Sequence, residues 1–209
     1  MPSAHRRIFT PDFIVTLRGL IGIHQSIYPQ TPPQGIYFEA LVEEAFPRIK
    51  KPVTIIEAGG RNQPRHDLLV EKTTISLKTE TGDSTKPERM TITKLCTTER
   101  EPWEAGVLVR RVMEHLARYD VVLMFRAVWE PDVIRYQLVE IPVDKLRLIG
   151  GVSLEPVGHR KGGQSLGSDV TERGEKILRV HFDASDGKCS VRGLGIEHCV
   201  VLGAWEVRR

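Results

Sequence analysis

Hydrophobic and polar residues change their period several times along this chain, and each change marks an element. From Gly35 to Phe46 the apolar residues Phe38, Leu41, Val42, Ala45 and Phe46 recur at helical spacing. A Pro- and Gln-rich turn precedes this run and Pro47 stops it, so it predicts a helix. Val53 to Ile56 reads as a short strand that leads into Gly59-Gly60. Asp67-Leu68-Leu69-Val70 and Thr74-Ile75-Ser76-Leu77-Lys78 then read as the two strands of a hairpin turning at Glu71-Lys72. In the second of these, Ser76 and Lys78 share one face while Ile75 and Leu77 enter the core. Arg89 to Cys96 predicts another strand. Val107, Leu108, Val112, Leu116 and Tyr119 restore a helical period over Glu104 to Tyr119.

Asp120 to Trp129 is an almost unbroken apolar run, as expected of a central strand covered on both faces. Glu130-Pro131-Asp132 turns it into Val133 to Ile141, and Pro142 to Leu148 predicts a short helix with proline in its first turn. The stretch from Gly151 to Gly174 is glycine-rich and locally basic, and reads as a loop. Lys176 to Asp183 and Lys188 to Leu194 alternate around Ala184-Ser185-Asp186-Gly187, a hairpin signal, and Cys199 to Val207 closes the pattern as a last strand. Helix, strands, helix and more strands in this order predict an α/β fold, a mixed central β-sheet flanked by helices with a C-terminal β-hairpin region.

Composition narrows the class without choosing the function. With 40% hydrophobic residues in 209, the chain can bury a substantial core, and the absence of a composition break predicts one domain over 1–209. The formal charge of +3 is mildly basic and compatible with nucleic acid. No secretory signal or bilayer-length apolar run is evident, and a cytoplasmic location follows by elimination. Cys96, Cys189 and Cys199 are widely spaced and form neither a disulfide framework nor a zinc pattern. The histidines include no pair four apart, which argues against a histidine metal site.

Polar groups converge where the first hairpin places them. Asp67 opens one strand and Ser76-Leu77-Lys78 lies on its neighbour, so a carboxylate, a hydroxyl and an ammonium can meet. Hydrolysing a phosphodiester uses such groups: a carboxylate to hold a divalent ion, and an ammonium to orient water or offset transition-state charge. Upstream, Glu39 and Glu43 lie four apart on one helix face. Glu80 continues the face of Ser76 and Lys78, which makes it a candidate outer-shell acid or second metal ligand behind Glu39. Between helix and hairpin, Arg61, Asn62, Gln63 and Arg65 form a polar, cationic loop suited to phosphates and base edges. In the last third, Arg160, Lys161, Gln164 and Ser165 from the glycine-rich stretch are further candidate DNA contacts. Arg179, His181, Lys188, Ser190 and Arg192 from the hairpin join them, since a two-stranded ribbon can enter the major groove. An ordinary solvated hairpin and an acidic surface helix are the bland alternatives for these features.

The block from Asp67 to Lys78 resembles the PD-(D/E)xK nuclease core, the fold of most type II restriction endonucleases. Ser76 stands where the family usually has a second acid, and His66 rather than proline precedes Asp67; some restriction enzymes resembling this pattern have Ser-x-Lys. Gly35-Ile36-Tyr37-Phe38-Glu39 is similar to the family's helix that points a glutamate at the metal. The resemblance implies a restriction-endonuclease-like catalytic core over about 35–150 and DNA recognition over about 151–209. It implies Mg²⁺ held by Asp67, the Leu77 carbonyl and Glu39, with Lys78 acting on water and Ser76 supplying a hydrogen bond. It further implies sequence-specific cleavage of double-stranded DNA, a homodimer for a palindromic target, and a DNA methyltransferase as genetic partner. A repair or recombination nuclease of the same fold, and a non-catalytic DNA-binding domain, are the competing expectations.

Overall fold

The computed structural model describes residues 5, 7–56, 67–99, 101–160 and 163–208, and for Asp67, His159 and Arg160 the backbone alone. Helices α1 (Pro11–Ile27) and α2 (Ile36–Arg48) come first, followed by strands β1 (Val53–Ile56), β2 (Asp67–Val70), β3 (Thr73–Glu80) and β4 (Arg89–Thr97). After α3 (Ala105–Leu116) come β5 (Val121–Trp129), β6 (Val133–Pro142) and the short α4 (Val143–Arg147). Strands β7 (Glu155–Arg160), β8 (Gly163–Glu172), β9 (Glu175–Asp183), β10 (Lys188–Gly195) and β11 (Val200–Arg208) complete the chain. The fold is the expected mixed α/β, with two sheets and flanking helices. No helix among the described residues is long and apolar enough to cross a membrane.

The strands sort into two compact units whose segments interleave along the chain. One unit comprises residues 1–85, 119–141 and 199–209 and holds a six-stranded sheet in the order β1-β2-β3-β5-β6-β11. The other comprises residues 86–118 and 142–198 and holds a five-stranded sheet in the order β4-β10-β9-β8-β7. The predicted C-terminal hairpin is thus part of a sheet of its own, while the last strand joins the first unit beside β6.

The first sheet is mixed because β3 runs parallel to β5 and antiparallel to β2. Parallel neighbours need a long crossover, and here the chain traverses β4 and α3 between them. Helices α1 and α2 cover one face, packing Phe13, Leu17, Phe38 and Phe46 against Leu68, Ile75, Leu77, Leu123, Phe125 and Tyr136. Phe13 stacks on Phe46 at 4.4 Å and Phe38 on Phe125 at 5.3 Å between ring centres. The Tyr136 hydroxyl donates to Gln25 Oε1, and burial pushes its pKa up to about 12.

Helix α1 was not among the expected elements. Thr10 caps it by accepting from the Phe13 N–H, and Pro11 occupies its first turn. Helix α2 carries Pro47 inside its last turn instead of stopping before it. A larger difference lies in the glycine-rich stretch, which forms the paired strands β7 and β8 in place of a loop. Gly158 and Gly163 have φ of +151° and +117°, a backbone region costly for other residues, so these glycines permit the pairing.

In the second unit Cys189 lies opposite Cys96 across β10 and β4, both buried. Burial, with the neighbouring Cys96 second, pushes the Cys189 thiol well above its usual pKa. A disulfide reagent is therefore expected to leave Cys96 and Cys189 unmodified in the native protein and to titrate all three cysteines after denaturation. Rapid native labelling of Cys189 would contradict this packing.

Candidate active site

The hairpin expected around Glu71-Lys72 forms, with Glu71 at φ +58° and its carboxylate 2.6 Å from Lys51 Nζ. Its register pairs Asp67 with Ser76, Leu68 with Ile75 and Leu69 with Thr74. Directly opposed residues of an antiparallel pair project from the same face, so Asp67 and Ser76 share a side of the sheet. By strand alternation Lys78 and Glu80 occupy that side as well, away from the face covered by α1 and α2. Ser76 is buried and Lys78 half-buried. Next door on β5, Met124 lies beside Lys78 and Arg126 beside Glu80.

Helix α2 begins next to the same strand end. Gly35 N–H donates to Thr79 Oγ1 at 3.4 Å, and Glu39 lies in the first turn, half-buried. Thr79 lies on the helix-covered side of β3 and Lys78 on the other, so Glu39 would share an ion with Asp67 only by reaching around the end of β3. Glu43, one turn later, is also half-buried.

Glu80 answers a buried cation on the next strand. Its Oε2 lies 2.8 Å from Arg126 Nε, and Arg126 Nη1 donates to Gln137 Oε1 at 2.6 Å. Arg126 is 0% exposed. A guanidinium so deeply buried needs both charge and hydrogen-bond partners, which Glu80 and Gln137 supply. Sequence reasoning passed over both Arg126 and Gln137. The signal was present as the single charge inside the apolar run 121–129.

For Mg²⁺ the chemistry of the donor set fits: two carboxylates, Asp67 and Glu39, and the Leu77 carbonyl are hard oxygen donors of the kind this ion takes. Among the described residues no group of three or more His, Cys, Asp or Glu side chains forms a metal cluster; the Asp67 side chain is outside that set.

The candidate DNA contacts divide by environment. Arg61, Asn62, Gln63, Arg65 and Lys161 lie outside the described residues, as does the Arg160 side chain. Gln164 bonds the Gly158 carbonyl at 2.5 Å through its side chain, and its own carbonyl accepts from Trp103 Nε1 at 2.7 Å. Ser165 is buried, with no partner for its hydroxyl among the described residues. The β9–β10 register pairs Lys188 with Asp183, Ser190 with His181 and Arg192 with Arg179, so these residues share one face of the hairpin, as alternation predicts. It is not uniformly open. His181 and Ser190 are buried, with Ser190 Oγ donating to the His181 carbonyl at 3.3 Å. Arg179 pairs with Asp169 at 2.7 Å and Lys188 with Asp186 at 2.5 Å. Lys176, at 2.9 Å, is the largest cause of the lowered Asp169 pKa, with Arg179 adding to it. Arg192 is exposed, 3.2 Å from His181 Nδ1.

The type II restriction enzyme SmaI of Serratia marcescens is 28% identical to this chain over 153 residues, covering 71% of this chain and 62% of the relative. The chain thus spans less than two thirds of that relative's length. No solved structure matches it. The model of the SmaI family, type II site-specific deoxyribonucleases, matches residues 3–207. Since that match takes in both sheets and the Asp67–Lys78 hairpin, this chain belongs to the SmaI family of type II site-specific deoxyribonucleases.

Proposed function

We propose that this protein is a Mg²⁺-dependent restriction endonuclease that cleaves double-stranded DNA at a specific sequence. The observation that carries the reading is the β2–β3 register, which places Asp67 opposite Ser76 on the face that also bears Lys78. Asp67, the Leu77 carbonyl and Glu39 would hold the ion, whose chemistry is to polarise the phosphoryl oxygen and acidify water. The Lys78 ammonium orients the attacking water and offsets charge developing on the phosphate. Ser76, in the place of a second acid, hydrogen-bonds within the site without adding charge. The identity to SmaI and the family match support this reading, and DNA as its substrate follows from it.

Two strands must be cut, so a palindromic site calls for two catalytic centres related by a twofold axis, hence a homodimer. A methyltransferase modifying the same sequence would protect the host DNA. The test is incubation of the purified chain with a long unmethylated duplex, with Mg²⁺ or with chelator, followed by mapping of the ends. Discrete Mg²⁺-dependent fragments with common ends are expected. Cutting at mismatches, junctions or ends alone would favour a repair nuclease, and binding without cutting would favour a DNA-binding domain.

Arg192, exposed on β10, tests the recognition face. Arg192→Ala is expected to weaken duplex binding and lower the slope of log affinity against log salt by about 1 if the contact is to phosphate. Unchanged affinity across a salt series would remove Arg192 from the interface.

A further inference from the structure

From Gly19 through Phe38 no residue is Asp, Glu, Lys or Arg, in a chain where 27% of residues are charged. Part of this segment faces solvent. Ile23 and Ile27 on α1, Tyr28 after it, and Ile36 and Tyr37 at the start of α2 are all between 50% and 70% exposed, as is Val15. These six are most of the large hydrophobic side chains found exposed among the described residues. Val15, Ile23 and Ile27 fall on one side of α1, and Gly19 and Gly22 between them would meet nothing within 4 Å even with a Cβ. A solvated helix face is normally charged, and contiguous apolar surface of this kind marks an interaction site.

We propose that this face of α1, with the first turn of α2, is the surface through which two copies of the chain pair about a twofold axis. Large side chains left this open add up to on the order of 600 Å² per copy, close to the roughly 800 Å² that a stable interface buries on each partner. Charge favours a second copy. The charged residues on this side of α1 are Asp12 and Arg18, opposite in sign, so superposing the patch on itself brings no net like-charge repulsion. An open cleft of about 390 Å³ beside Val15, with Asp12, Arg48 and Lys50 in its lining, supplies the polar rim such interfaces have. Nucleic acid is a poor occupant, since residues 19–38 offer no cation to a phosphate and the cations at the edge, Arg18, Arg48 and Lys50, flank the apolar face instead of crossing it. His24 is buried between the rings of Tyr28 and Tyr37, at 5.1 and 5.8 Å, and burial lowers its pKa, so it does not present a cation there.

The choice of a self-partner also rests on the restriction-enzyme reading, which requires two centres on one duplex. Ile36 and Tyr37 share the helical turn of Glu39, so pairing here places the two candidate sites on either side of one interface.

Sedimentation of the full chain without DNA, at tens of micromolar, is expected to give twice the 23.6 kDa of the monomer. Ile23→Asp combined with Ile27→Asp is expected to give the monomer mass with an unchanged circular dichroism spectrum. Val201→Asp, an exposed site on the edge strand β11, is expected to stay dimeric. A monomeric native chain, or a dimer that survives the double substitution, overturns the proposal, as does dissociation by the Val201 change alone. Should the double variant unfold, Ile23→Ser is expected to weaken dimerisation at least about tenfold on dilution; no change would count equally against it. A dimer that never cuts DNA would fail the functional reading and leave the interface standing. A monomer that cuts would do the reverse.

Discussion

Lys78→Ala is expected to reduce DNA cleavage by about 10²–10⁴-fold while leaving the fold and duplex affinity close to native. Lys78 lies on β3 between Leu77 and Thr79, both turned to the helix side, and its own side chain projects from the opposite face, shared with Asp67 and Ser76. The side chain is half-buried at that face, so shortening it leaves the apolar packing of Ile75 and Leu77 untouched. The loss should therefore appear in the rate with bound duplex and saturating Mg²⁺, not in affinity or in thermal stability. Lys78→Arg separates positioning from bare charge. A planar guanidinium keeps the charge but cannot present a compact ammonium to a water or give up a proton near neutral pH, so it is expected to remain strongly impaired. Single-turnover cleavage, a gel-shift titration in Ca²⁺ and a thermal melt measure the three quantities independently. Native-like cutting by Lys78→Ala would sink the mechanism, whatever the other variants do.

The half of the site that could be read from the sequence is the half set by local rules. Alternation assigned Ser76 and Lys78 to one face, and a two-residue turn fixed the register that brings Asp67 opposite Ser76; both depend on neighbours in the chain. Sheet membership is a different matter. Strand β4 follows β3 in sequence yet pairs with β10 in the other unit, and nothing in the period of residues 89–97 names that partner. The β7–β8 stretch failed for a related reason. Its Gly, Ser and Gln residues carry loop propensity, but strand formation there is decided by pairing to β9, which sets the buried Val170 opposite the buried Leu178, a tertiary effect. Helix α1 had local signals that were passed over: Thr10 and Pro11 at its start, then Phe13, Leu17, Leu20, Ile21 and His24 at helical spacing on the buried side.

Buried charge is where the sequence says least and the structure most. In the run 121–129, Arg126 reads as a small interruption of an apolar strand, yet it obliges another residue to answer it. Its answer comes from Glu80, on the same face one strand away, so this acid anchors Arg126 within the sheet. Ser76, Lys78 and Glu80 look equivalent by period; only the neighbour strand distinguishes them.

Arg126→Met is accordingly expected to destabilise the protein by about 3–5 kcal/mol, because removing one member of a buried pair leaves the other uncompensated. Methionine fills much of the volume and returns none of the hydrogen bonds, so Glu80 and Gln137 both lose a donor. For a chain of this size such a loss lowers the melting temperature by roughly 10 °C. Adding Glu80→Gln to Arg126→Met removes the stranded carboxylate and is expected to recover part of that loss, whereas two independent surface changes would simply add. The pair also separates anchoring from catalysis. If Glu80 serves only to satisfy Arg126, Glu80→Gln alone, which can still accept from the guanidinium, keeps cleavage near native at saturating Mg²⁺; if Glu80 were a metal ligand, the same change would raise the Mg²⁺ concentration needed for half-maximal cutting. Melting curves for the native chain, both single variants and the double variant, with a Mg²⁺ titration of Glu80→Gln, measure both effects. Arg126→Met melting within 2–3 °C of the native chain, about 1 kcal/mol or less, would show that the buried pair does not hold this part of the sheet.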